Sequence, residues 1–220
     1  MRGPAPWRNE WFRGSAIGAL AWRRGLLPTP RRAEQTMGMP QAAELWTAER
    51  IRALPDDGLR HEVVDGEHLV TPAPRAPHQI AVFELALRLN EYVREHGLGR
   101  VMHSPADLEF DPHTLMQPDL FVTASRRVRT WLDALPIRLA VEVLSPSTAR
   151  ADRTLKRRRL QRAGVPEYWI VDLDARLIER WRPSDTRPEV LSERLAWQPV
   201  GAPAALVLDL GELFREIEGE

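Results

Sequence analysis

From residue 47 onward, apolar and polar positions follow two rhythms, one with a period near 3.6 and one with a period of 2. Residues 47–54 read as a short helix with Thr47 as its N-cap, ended by Pro55-Asp56-Asp57-Gly58. Residues 61–64 and 67–70 are apolar-rich runs flanking Asp65-Gly66, a pairing that predicts a β-hairpin. After a proline-rich loop over 71–77, a long helix is expected over 78–96. It places Val82, Leu85, Leu89 and Tyr92 on one face and has Gly97 as its stop. Strands are expected over 100–103, 106–110, 116–123 and 138–144, with Asp111-Pro112 as a turn. The hydroxyls of Ser145, Ser147 and Thr148 are placed to cap the free amides of a second helix, 149–163, stopped by Gly164 with Pro166 beyond. Residues 168–172 and 177–181 read as strands joined through Asp174-Ala175, and further strand and loop lead to a tail helix from Leu210. There is no internal repeat. Helix, hairpin, helix, several strands, helix and strands in that order predict a mixed α/β fold.

The first 36 residues break this regularity. They carry Trp7, Trp11, Trp22 and many arginines, with Glu10 and Glu34 as the only acids. The apolar stretch at 16–22 is far short of the roughly 20 residues a membrane span needs. Arg23 and Arg24 follow it with no small-residue cleavage site, which argues against a secretory signal. An arginine-rich, acid-poor start is compatible with a transit peptide. The expectation is instead a disordered extension over 1–38, with Met37 and Met39 as alternative starts, followed by one folded domain over 39–220. A cytoplasmic protein with no membrane partner is expected.

Composition narrows the chemistry. Hydrophobic residues form 43% of the chain, enough for a substantial core. The absence of cysteine excludes disulfides, thiolate nucleophiles and cysteine-based zinc sites. Basic and acidic residues balance at 31 each, so any contact with nucleic acid requires a local basic surface rather than an overall charge. One of those 31 basic residues is a lysine, Lys156. Either coding bias left one lysine over, or the position needs a compact ammonium that a planar guanidinium cannot replace.

Two carboxylates stand out beside it. Asp119 lies in the strand-like run Gln117-Pro-Asp-Leu-Phe-Val122, and Glu142 sits inside the apolar run Leu139-Ala-Val-Glu-Val-Leu144. Alone, Glu142 either pairs with an arginine, lies on an exposed face, or is buried for a purpose at a cost in desolvation. As a pair on neighbouring strands with a lysine nearby, the two acids suit a hard divalent cation. Such an ion takes oxygen ligands and is commonly held by one or two carboxylates plus substrate phosphate. The helix around Lys156 carries Arg150, Arg153, Arg157, Arg158, Arg159 and Arg162 against Asp152. It is either a solvated face or a phosphate-positioning surface, and Asp152 is spaced to pair with Lys156 at i, i+4. Tyr168 and Trp169 alternate like a buried strand, which favours core packing or a subunit interface over base stacking.

Five segments occur in order: Glu62-Val-Val-Asp-Gly-Glu67, Gln117-Pro-Asp119, Val141-Glu-Val-Leu-Ser-Pro-Ser147, Asp152-x-x-x-Lys156 and Ala163-Gly-Val-Pro-Glu-Tyr-Trp-Ile-Val-Asp172. Together they resemble the Uma-two family, described as putative restriction endonucleases, within the PD-(D/E)XK nuclease superfamily. The resemblance covers about residues 42–210. It implies a restriction-endonuclease-like fold, a central mixed sheet flanked by helices, and an Mg2+- or Mn2+-dependent endonuclease acting on DNA. It implies Asp119 and Glu142 as metal ligands. The superfamily lysine position is filled here by Leu144, and the family supplies the lysine from the following helix, at Lys156. Glu62 takes a secondary role beside the metal or the lysine. His78 matches a family position, although a lone histidine before a helix also serves as a cap or surface residue. His78, Arg153 and Arg157 are the candidate nucleic-acid contacts, and a homodimer is a candidate assembly. The family commonly has a tyrosine one helical turn after the lysine, where this chain has Leu160. A catalytically silent nucleic-acid-binding or scaffolding module of the same fold is the alternative.

Overall fold

The computed structural model describes residues 45–220; the expected extension over 1–38 and its boundary lie outside the described residues. Helix α1 spans Ala48–Arg52, with the Thr47 hydroxyl accepting from the Arg50 amide as the N-cap pattern predicts. Strands β1 (Arg60–Val64) and β2 (Glu67–Thr71) form the expected hairpin, with Asp65 and Gly66 both at positive φ, as a tight primed turn requires. Helix α2, Ala76–Glu95, starts two residues before the expected position because Pro77 fits the first turn, where no amide is needed.

One expected strand is two. Residues 116–123 divide into β5 (Thr114–Met116) and β6 (Leu120–Thr123), with β3 (Arg100–His103) and β4 (Leu108–Asp111) before them. The break falls at Gln117-Pro118-Asp119, since Pro118 has no amide to give a ladder. There the chain crosses between two sheets. One has the order β2-β1-β5-β4. The other has the order β10-β9-β8-β7-β6-β3, with β7 at Ile137–Val143, β8 at Glu167–Asp172, β9 at Leu177–Trp181 and β10 at Glu189–Leu191. Only β7 and β8 run parallel, which makes the larger sheet mixed. A β11–β12 ribbon (Arg194–Trp197, Leu206–Asp209) leads into helix α5, Leu210–Glu218. No helix among the described residues is long and apolar enough to cross a membrane.

The period-2 pattern of the larger sheet sorts its side chains onto two cores. Leu120, Val122, Leu139, Val141, Val143, Trp169 and Val171 pack on α2 and α5. Phe121, Ala140, Tyr168 and Ile170 face the other way, against Leu160, Val165 and the smaller sheet. Tyr168 and Trp169 are therefore core residues. The second long helix comes in three pieces: α3 (Ala149–Ala151), a π-helical turn (Asp152–Lys156) and α4 (Arg157–Arg162). The expected hydroxyl caps do not form. Ser145 Oγ bonds the Ser147 and Thr148 hydroxyls instead, and the Ser145 carbonyl accepts from the Thr148 and Ala149 amides.

Gly99 sits at φ +129 just before β3, and a Cβ there would lie 1.8 Å from the Thr123 carbonyl oxygen at the end of the β3–β6 pair. A backbone region open essentially to glycine alone costs about 1–3 kcal/mol for other residues. Gly99→Ala is expected to lower stability by at least about 2 kcal/mol in urea melts followed by circular dichroism. A wild-type melting curve for the variant would show that the strand moves aside without cost.

Candidate active site

The alternation that builds the two cores also assembles the polar site. Glu142 is the residue after Val141 and two after Ala140, so it leaves the sheet on the face of the second core. Leu120 pairs with Val141, so Asp119, one residue earlier, lies beside Glu142 on the same face. Arg60 and Glu62 share one face of β1 because they are two residues apart. Lys156 and Asp152 reach the same space from the π-helical turn, where both are buried.

These side chains converge. Lys156 Nζ donates to Glu142 Oε1 at 2.9 Å, lies 2.8 Å from Glu62 Oε2 and sits 3.5 Å from Asp152 Oδ1. The Glu62 contact is one of charge without hydrogen-bond alignment. Glu62 Oε1 accepts from the Gln117 amide at 2.7 Å, fixing the break between β5 and β6. Asp119 Oδ2 accepts from the Val143 amide at 2.9 Å and pairs with His78 Nε2 at 3.0 Å, while Oδ1 accepts from Arg60 Nη1 at 2.8 Å. The Lys156 side chain is 1% exposed.

Burial sets the electrostatics. It pushes the Glu142 carboxyl well above its usual range against the pull of Lys156, with Asp119 and Asp152 adding to the rise. Burial likewise raises Asp152, opposed by Lys156 and Thr148. Burial would raise Asp119 as well, but the His78 hydrogen bond and the Arg60 charge outweigh it and hold it well below the usual carboxylate range. Burial would depress Lys156, yet Glu142, Glu62 and Asp152 keep its ammonium protonated well beyond the ordinary range. Four buried carboxylates thus face two permanent cations, Lys156 and Arg60.

This donor set fits a hard divalent cation in charge and in kind. Both Asp152 oxygens and Glu62 Oε2 are buried without hydrogen-bond partners, which marks an oxygen-rich cluster short of positive charge. Among the described residues no three acid or histidine side chains form a ready-made metal cage. A cation such as Mg2+ keeps several of its waters and needs only one or two carboxylates.

A cleft of about 1050 Å3 opens onto Asp119. Its walls include Arg60, Arg75, His78, His103 and Arg153, together with the loop 144–149. His78 is neither a cap nor a surface residue, since it orients Asp119 from the first turn of α2. Arg153 reaches the cleft but is tied to Asp172 and Glu179. Arg157 stacks over Trp181, bonds Gln161 and does not line the cleft. Leu160 is buried in the second core. The sequence reading passed over Arg60, Arg75 and His103. Arg60 stands just before the strand expected over 61–64, which begins at Arg60 in the structure.

Comparisons with known proteins agree with the architecture. Residues 48–211 match the Uma2 family, described as "Putative restriction endonuclease". A solved structure titled as a putative nuclease belonging to DUF820 from Anabaena variabilis superposes with a TM-score of 0.66 at 20% identity. The superposition covers 78% of this chain and 99% of that one, and at this identity it speaks to the fold. No curated protein matches the chain.

The cluster predicts an unusual pH profile in buffer containing EDTA. Glu142 has a folded value raised above its ordinary 4.5, so its contribution is fully present below that pH and is lost as pH rises through the raised value. Asp119 acts oppositely: its contribution is present above 3.8 and is lost as pH falls through its depressed value. Stability to urea should therefore peak at mildly acidic pH and decline above it, by up to about 1.4 kcal/mol per pH unit for one proton released. Glu142→Gln should flatten the decline, and a wild-type profile rising steadily from pH 5 to 8 would contradict it.

Proposed function

Because the chain belongs to the Uma2 family, we propose that it is a metal-dependent endonuclease that hydrolyses DNA phosphodiester bonds. Asp119 and Glu142 would hold Mg2+ or Mn2+, with Lys156 and Glu62 beside them. The observation that carries this reading is the juxtaposition of Asp119 and Glu142 on one sheet face, with Lys156 bonded to Glu142 at 2.9 Å. When bound, a divalent metal supplies Lewis acidity toward a phosphoryl oxygen and lowers the pKa of water for attack on phosphorus.

The protein's own groups divide the remaining work. Lys156 stays charged under the pull of its three carboxylates, so its role is to hold Glu142 and Glu62 in place and to offset negative charge as it grows at phosphorus. It is a poor proton acceptor in this setting. His78 and the Val143 amide fix the direction of Asp119. Arg75 and His103 on the cleft wall offer contacts to the phosphate backbone. Arg153 contributes there only to the extent that Asp172 and Glu179 leave it free. Leu160 supplies no hydroxyl, so this chain does without the support a tyrosine would give from that turn.

Supercoiled plasmid incubated with Mg2+, Mn2+ or EDTA tests the reading, with RNA of matched length in parallel. Wild-type protein is expected to nick or linearise the DNA only with metal. Asp119→Ala, Glu142→Ala and Lys156→Ala should each lose at least about a hundredfold in rate while remaining folded. Full activity in the Asp119 or Glu142 variant would refute the ligand assignment. Metal-independent inertness of folded wild-type protein toward both substrates would favour a silent binding module of the same fold.

A further inference from the structure

Arg60 holds the oxygen that a metal at this site would need. Asp119 Oδ2 is committed to the Val143 amide and to His78. That leaves Oδ1, which accepts from Arg60 Nη1 at 2.8 Å. The same guanidinium bonds the Gln117 carbonyl at 3.2 Å, and its Nε lies 3.7 Å from Glu62 Oε2 with no hydrogen-bond partner of its own. Its strongest favourable charge interactions are with Glu142, Glu62 and Asp119. The guanidinium thus lies against Asp119 and within 3.7 Å of Glu62.

Of the two permanent cations in the cluster, only one has a way out. Lys156 is 1% exposed and held by Glu142 and Glu62. The Arg60 side chain is 19% exposed and forms part of the cleft wall. A dication near Asp119 Oδ1 and a guanidinium at 2.8 Å from the same atom repel each other at this depth, which works against their sharing it.

We propose that Arg60 is a displaceable counter-ion: its guanidinium offsets the charge of Asp119 and Glu62 while no metal is bound, and it turns into the cleft to release Asp119 Oδ1 when a divalent cation enters. The inference rests on the metal-dependent reading above and adds an exchange of one cation for another. Arg60 keeps the carboxylates from driving each other apart, and the work of displacing it weakens the protein's affinity for metal.

Binding of Mn2+ to the full chain, measured by isothermal titration calorimetry and by loss of the free-ion electron paramagnetic resonance signal, tests this without recourse to cleavage. Arg60→Gln is expected to bind Mn2+ about tenfold more tightly than wild type. Without metal it should melt at a lower temperature than wild type, and saturating Mn2+ should raise its melting point more. Should Arg60→Gln fail to fold, Arg60→Met, which keeps an apolar stem and removes the charge, carries the same comparison. Equal or weaker Mn2+ affinity in the folded variant, with wild type binding, overturns the displacement and leaves the metal reading intact. Absence of Mn2+ binding in folded wild type and folded variant alike overturns both.

Discussion

One buried ammonium ties the site together. Lys156 contacts Glu62 from the smaller sheet, Glu142 from the larger sheet and Asp152 from its own helix. The chain passes between the two sheets at Gln117-Pro118-Asp119, beside the site, and Lys156 adds a link there through charge. Removing one partner of a buried pair leaves an uncompensated charge, typically worth about 3–5 kcal/mol, whereas exposed pairs are worth far less. The site and the junction of the sheets are thus one piece of construction, and the carboxylates are held in place by the packing on either side of them.

The arginines serve a different purpose from that single lysine. On the helix that carries Lys156, Arg153 pairs with Asp172 and Glu179, Arg159 with Asp111 and Asp65, and Arg162 with Asp65. These guanidinium forks stitch the helix to loops and strand ends, a task suited to planar, permanently charged groups. In sequence the run looks like an open basic surface. In space much of its charge is consumed internally, and the basic side chains that line the cleft include Arg60, Arg75 and His103, which come from other parts of the chain. A net charge of zero is consistent with this internal use.

Local patterns legible in the sequence were those governed by local chemistry. The Asp65-Gly66 hairpin, the apolar face of α2 and the Gly97 stop all follow from backbone geometry and periodicity, and all are present. The carboxylates could be named from their positions in strand-like runs, the lysine from being the chain's only one, and all three from the family resemblance. What could not be read was anything set by tertiary crossing. The strand expected over 116–123 hid the passage from one sheet to the other, although Pro118 was a visible warning. The contact between His78 and Asp119 spans 41 residues, and that between Arg60 and Asp119 spans 59. No local pattern encodes such pairings.

The π-helical turn at Asp152–Lys156 shows how the chain resolves a conflict between helix geometry and the site. Asp152, Lys156 and Leu160 recur every four residues and all are buried. An α-helix drifts off such a spacing, so its inward face would rotate away along the run. A π turn widens the helix and resets that face, which is why such turns tend to occur where function fixes a side chain. Here it keeps Asp152 and Lys156 directed at the carboxylates while Leu160 stays in the apolar core two turns along. The cost is a poorer hydrogen-bond ladder and four buried acids facing two permanent cations. A chain selected for stability alone gains nothing from that arrangement, because apolar residues of similar volume would serve as well or better. Four buried acids in a well-packed core are an arrangement that stability alone does not explain.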